Sequence, residues 1–230
     1  MAKTAILVDG GFYRRKYAKG TEHTPEDAAD ALVKYCYRHL HERHGDHDLY
    51  RIFYYDCKPC GKKIFHPLQN KTVDFSKTPH YSWMNQFLKE LTQKRKVALR
   101  LGNIDEGSAV YVLTEKATKD IVLKKRKVED LNEHDFVTSI KQKGVDMKIG
   151  MDIASLAYKK QVDQIVLIAG DADFVPAAKL ARREGIDFVL DPLGHAIKDD
   201  LFEHIDGKRS CGDPYINKKS DSKKETDETK

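Results

Sequence analysis

The sequence predicts an α/β fold with a mostly parallel sheet flanked by helices, and three observations carry the prediction. Residues 4–8 (TAILV) and 164–169 (QIVLIA) are continuous aliphatic, β-branched runs, the pattern of strands buried on both faces. Each run is followed at once by acids and glycine: Asp9, Gly10 and Gly11 after the first, Gly170, Asp171 and Asp173 after the second. Strand-like and helix-like segments then alternate along the chain, the order that builds parallel sheets through crossover helices.

The first strand spans 4–8. Thr24, Pro25, Glu26 and Asp27 start a helix, with an N-capping threonine, proline at the first helical position and acids in the first turn. Its apolar stripe of Ala28, Ala31, Leu32, Tyr35, Cys36 and Leu40 predicts a run to about His44, closed by Gly45. Residues 49–55 (LYRIFYY) form a second strand ending in Asp56, and 57–78 lack periodicity and read as a loop. A helix over 82–94 presents Trp83, Met84, Phe87, Leu88 and Leu91 on one face, and 97–101 is a third strand.

Residues 103–135 read as an insertion, with 109–113 (AVYVL) as a strand and 121–128 as its hairpin partner. A helix over 147–160, the strand 164–169, a helix over 174–183 closed by Gly185, a strand over 186–190 and a short helix over 195–204 complete the pattern. One domain over residues 1–207 carrying the insertion is expected, followed by a polar, disordered tail over 208–230.

The chain has 230 residues, 40% of them hydrophobic and 33% charged, enough for a full core and typical of a soluble protein. No apolar run approaches the roughly 18–20 residues of a membrane span, and the start of the chain lacks an extended signal-peptide core. Four scattered cysteines do not make a disulfide framework. A cytoplasmic protein without membrane contact is expected. The net charge of +5 is clustered at Arg14–Lys16, Lys62–Lys63, Lys94–Lys96 and Lys124–Lys127, which favours a polyanionic partner such as nucleic acid.

Acids stand at or near predicted strand ends: Asp9, Asp56, Asp146 with Asp152, and Asp171 with Asp173. Carboxylates brought together raise one another's pKa unless a cation neutralises them. An all-oxygen donor set suits Mg²⁺ or Mn²⁺ rather than zinc, and such ions assist phosphodiester hydrolysis. Some of these acids also have a structural reading as helix caps, Asp173 most simply. The pair Cys57 and Cys60 has metal-knuckle spacing but no second pair to complete it.

At these residues the chain resembles the NYN domain family, in its LabA-like branch within the PIN-like nuclease group. The matching segments are 7–12 (LVDGGF), 54–56 (YYD), 143–148 (KGVDMK) with 151–153 (MDI), 168–176 (IAGDADFVP), and Asp191 with Pro192. The resemblance implies a Rossmann-like, PIN-like sheet and a metal-dependent ribonuclease acting on single-stranded RNA. It implies Asp9, Asp146, Asp152, Asp171 and Asp173 as catalytic residues, with Asp9, Asp146, Asp171 and Asp173 as ligands of Mg²⁺ or Mn²⁺. Phe12 and Tyr13 stand where many relatives carry asparagine. Phe12, Tyr13, Arg14, Arg15, Lys16 and Lys148, with the run Lys124, Lys125, Arg126 and Lys127, are the expected contacts to nucleic acid. The alternatives are a non-catalytic module of the same fold that binds RNA or protein and, ranked last, a phosphatase. A homo-oligomer is compatible with the sequence.

Overall fold

A computed structural model describes residues 1–18, 22–42 and 45–215. In chain order the elements are β1 (Lys3–Asp9), α1 (Gly10–Tyr17), α2 (Pro25–Arg38), β2 (His41–Glu42), β3 (Gly45–Asp46), β4 (Asp48–Cys57), β5 (Lys63–His66), β6 (Lys71–Asp74), α3 (Pro79–Gln93), β7 (Val97–Leu113), α4 (Glu115–Val122), β8 (Phe136–Lys143), α5 (Val145–Tyr158), β9 (Gln164–Ile168), α6 (Val175–Arg183), β10 (Asp187–Asp191), α7 (Asp199–Phe202) and β11 (Gly207–Lys208). The main sheet runs β11-β10-β9-β1-β4-β7-β8. Every neighbouring pair is parallel except β7 and β8. The expected mostly parallel sheet flanked by helices is the observed fold.

Alternation within the buried strands divides the core into two layers. Ile6, Val8, Ile52 and Tyr54 face α2 and α3, meeting Leu32, Tyr35, Phe87 and Leu91. Ala5, Leu7, Phe53 and Tyr55 face α5 and α6, meeting Ile149, Ile153, Phe174 and Ala178. Successive side chains of a strand point to opposite faces, so a run apolar at every position serves both layers.

From β1 the chain builds outward through β4 and β7, then crosses back to place β9 on the other side of β1. The order therefore reverses between β1 and β9. At such a switch point the adjoining connections depart to opposite faces and leave a crevice beyond the strand ends, where open α/β sheets hold their ligands.

Several elements differ from the sequence reading. Residues 10–17 form a helix directly after β1: the Asp9 side chain accepts from the Phe12 amide at 3.0 Å and caps it. Helix α2 stops at Arg38, earlier than its apolar stripe implied, because the chain turns into the β2–β3 hairpin; His44 lies outside the described residues. The segment read as a loop contains the antiparallel hairpin β5–β6.

The hairpin partner expected at 121–128 is instead α4 and the turn after it. The true partner is β8, which pairs Phe136 with Leu113 and Val137 with Val112. Strand β7 is one 17-residue element whose first part joins the sheet and whose far part carries the β8 arm. Beyond position 207, β11 pairs with β10, and Arg209 donates to the carbonyls of Arg38 and His39. The start of the segment read as a tail is thus fastened to the sheet; residues 216–230 lie outside the described residues. No helix among the described residues is long and apolar enough to cross a membrane.

Gly10 lets α1 sit against β4. A Cβ built there would lie 2.4 Å from Tyr54 Cζ and 2.6 Å from Asp56 Oδ2. Gly10→Ala is expected to lower stability by about 1–3 kcal/mol through overpacking, seen as a lower urea midpoint. An unchanged midpoint would show that the Tyr54–Asp56 pair can yield.

Candidate active site

Parallel pairing brings the ends of β1, β4, β9 and β10 to one edge, and the acids there fall into two groups. The first group has partners from the protein itself. Asp56, fully buried at the end of β4, accepts from Arg14 Nε at 2.9 Å, Arg14 Nη2 at 3.1 Å, the Tyr54 hydroxyl at 2.9 Å and the Cys57 amide at 2.8 Å. Asp191, ending β10, accepts from the Tyr35 hydroxyl at 2.5 Å and from Ser210 Oγ at 2.6 Å, and pairs with His39 Nε2 at 2.9 Å. Asp152 on α5 accepts from the Tyr55 hydroxyl at 2.8 Å and Arg100 Nε at 3.0 Å.

The second group is Asp9, Asp146, Asp171 and Asp173, none of which forms an ion pair among the described residues. Asp9 caps α1 from the end of β1. Asp171 follows β9 and caps the single 3₁₀ turn at Ala172–Phe174, accepting from the Asp173 amide at 3.2 Å. Asp146 lies in the first turn of α5. Burial raises the Asp9 pKa, and the charges of Asp146 and Asp56 add to the rise, against the opposing Phe12 amide and Arg15. Asp146 is likewise raised by desolvation and by the charges of Asp171 and Asp173. The four acids thus share one electrostatic field, which connects the ends of β1 and β9 with α5.

An open crevice of about 300 Å³ lies at the switch point, lined by Asp9, Phe12, Arg15, Gly170, Asp171 and Lys198. Gly170 is required by close packing: a Cβ there would meet the Phe12 ring at 2.5 Å. Phe12 also makes an edge contact with the His195 ring, with centroids 5.8 Å apart. Lys198 and His195 were missed in the sequence. Their available signal was position, since both follow β10, the strand that ends in Asp191.

The other expected contacts divide on inspection. Arg15 and Lys16 are exposed on α1. Tyr13 is 1% exposed and packs against Tyr17 and Tyr35, so its ring offers no face to a base. Arg14 binds Asp56 through two of its N–H groups. The correction at Tyr13 has a physical cause: residues 10–17 are a helix, and its inward face takes Tyr13. Asp152 stands six residues after Asp146, about 240° further round a helix, and its partners are Tyr55 and Arg100. Lys148 is exposed but about 200° round α5 from Asp146. Lys124, Lys125 and Lys127 are exposed after α4, whereas Arg126 is held by Asp135 through two 2.7 Å bonds.

The chemistry of the second group fits a hard cation: its donors are all carboxylate oxygens, and Asp9 and Asp146 are destabilised as anions by their surroundings. Among the described residues no three histidine, cysteine, aspartate or glutamate side chains converge as a ready-made ligand cluster. An ion that keeps several waters and needs only one or two direct carboxylates, as Mg²⁺ does, matches this spread.

Burial alone would push the His39 pKa down, but the hydrogen bond to Asp191, with help from Cys211, overrides it and lifts it from 6.5 to about 8. A raised histidine pKa stabilises the fold fully below pH 6.5 and loses that contribution as pH rises through about 8. Tyr35 and Cys36, the flanking groups whose pKa values burial pushes up, stay neutral across this window. Urea unfolding at pH 6 and pH 8.5 should show a loss of about 2 kcal/mol, and His39→Gln should largely flatten it. An equally steep loss in the variant would place the titration elsewhere.

The profile of the NYN domain family matches residues 63–196, which include Asp146, Asp152, Asp171 and Asp173 and leave Asp9 outside. A comparison with curated proteins gives no match. Among solved structures, a protein of unknown function from Vibrio parahaemolyticus is similar at 14% identity, with 94% of this chain and 96% of that one covered and a TM-score of 0.45. NYN domains are generally nucleases of the PIN-like class, which act on nucleic acid and generally use divalent metals. The matched span is more than half of the sequence, and the chain belongs to the NYN domain family.

Proposed function

We propose that this protein is a metal-dependent ribonuclease that hydrolyses phosphodiester bonds of single-stranded RNA, of the LabA-like branch of its family. The observation that supports this most is a set of acids that form no ion pair among the described residues: Asp9 and Asp171 on the crevice wall at the switch point, with Asp146 and Asp173 coupled to them by charge. These four would hold Mg²⁺ or Mn²⁺, directly or through water. A divalent ion bound there would lower the pKa of a coordinated water and stabilise negative charge on the phosphate.

The chain's own residues do the rest. Asp9 and Asp171 both line the crevice, at the end of β1 and just after β9, and a carboxylate there can accept the proton of an attacking water. Arg15 and Lys198 stand on the crevice wall, where their charge offsets the repulsion between acids and phosphate, and exposed Lys16 extends the basic flank. Phe12, half-buried at the mouth, offers a ring edge to the substrate. Lys148 and the lysines at 124, 125 and 127 are more distant basic contacts along a strand. Asp152, bound to Tyr55 and Arg100, is a positioning residue that fixes the α5 face against β4 and β7.

Cleavage of a labelled, unstructured RNA with Mn²⁺ or Mg²⁺ tests the reading. Asp171→Asn is expected to lower the rate by at least about 100-fold with unchanged thermal unfolding, and chelator should abolish cleavage. Full activity in that variant, or in chelator, would overturn the assignment. Salt-sensitive RNA binding without cleavage by the native chain would instead identify a binding module.

A further inference from the structure

Next to the acidic crevice lies a second, more enclosed cavity of about 200 Å³, between the start of α3, the segment after β4 and the β7–β8 arm. Its walls are mainly apolar, with Phe75, Met84, Ile104 and Ile140 around it. Thr138 and Gln142 line it from the exposed edge strand β8. A volume of about 200 Å³ lies under the roughly 300–1,000 Å³ of drug-sized ligand sites, so it suits one planar ring system.

Helix α1 lies beside both spaces: Arg14 lines the cavity and Arg15 the crevice. Two N–H groups of Arg14 bind Asp56. A guanidinium has five N–H donors and no acceptor, so those left over favour a ligand that presents carbonyl oxygens.

We infer that the cavity takes an unpaired, carbonyl-bearing nucleobase, uracil foremost, from an RNA strand whose backbone passes the acidic crevice. Apolar walls receive the base faces, and Arg14 and Gln142 meet its edge, the way single-stranded bases are read elsewhere. Uracil presents two carbonyl oxygens on a single small ring, whereas cytosine carries one, adenine none, and guanine one on a larger fused ring. The inference rests on the proposed RNA substrate and not on cleavage.

The test is equilibrium binding of the full chain to fluorescently labelled hexanucleotides in chelator, where no metal-dependent cutting occurs. Oligo-U is expected to bind about tenfold more tightly than oligo-A or oligo-C. Thr138→Trp, which fills the cavity from its exposed wall, should erase the preference while keeping the native melting temperature. Gln142→Trp is the second plug, should the first variant fold poorly. Equal affinity for all three strands, a preference that survives both plugs, or no RNA binding at all would overturn the inference. Competition by free UMP as effective as that by the hexamer would make the ligand a nucleotide and overturn its assignment to a strand. A uracil preference in a chain that cuts no RNA with metal would uphold the cavity and sink the nuclease reading alone.

Discussion

A parallel sheet carries the ends of strands remote in sequence to a single edge, and here that edge gathers aspartates whose charges are either met or left standing. The molecule depends on this division. Asp56 is met by Arg14, Tyr54 and a backbone amide. Asp191 is met by His39, Tyr35 and Ser210. Breaking a buried pair of this kind by removing one partner costs about 3–5 kcal/mol, because a bare charge is left inside. These acids therefore act as fasteners. Asp56 ties α1 to β4, and Asp191 ties α2 and the segment after β11 to β10.

The fasteners determine what the remaining acids can do. With Arg14 drawn inward to Asp56, the next residues of α1, Arg15 and Lys16, are turned to solvent. With Gly10 pressed on Tyr54 and Gly170 pressed on Phe12, the ends of β1 and β9 approach closely enough for Asp9 and Asp171 to line one crevice. Nothing among the described residues neutralises Asp9 by direct pairing, and its carboxyl is pushed toward the protonated form, chiefly by burial. Positioning is thus the task of the paired acids, and the unpaired ones carry the electrostatic strain of the edge.

The strands of the central sheet were legible because burial on both faces leaves no polar position to confuse the pattern, as in β1 and β9. Strand β8 was not: it is an edge strand of largely exposed and half-buried residues, with the sequence FVTSIKQK, and so lacks a strong apolar signature. Helix α1 was hidden by two glycines at its start, which lower helix propensity while permitting the close approach to β4. The types of site residue were legible, but the division among the acids was not. Arg14 lies 42 residues from Asp56, His39 lies 152 from Asp191, and Arg100 lies 52 from Asp152. Local sequence marks a carboxylate at a strand end; only the fold shows which one already has a cation.

The same division bears on how a phosphodiester would approach. Like charges a few ångströms apart repel strongly where water is partly excluded, so a phosphate entering beside Asp9 and Asp171 meets an unfavourable field. Arg15 and Lys198 stand on the same wall and oppose that field, while burial, with the charges of Asp146 and Asp56, keeps the Asp9 pKa raised. A cation placed among the acids would remove their mutual repulsion and reverse the local sign together. Under the proposed function, the unmet charge is then a working part of the site, kept unpaired so that an ion and a substrate phosphate can complete it jointly.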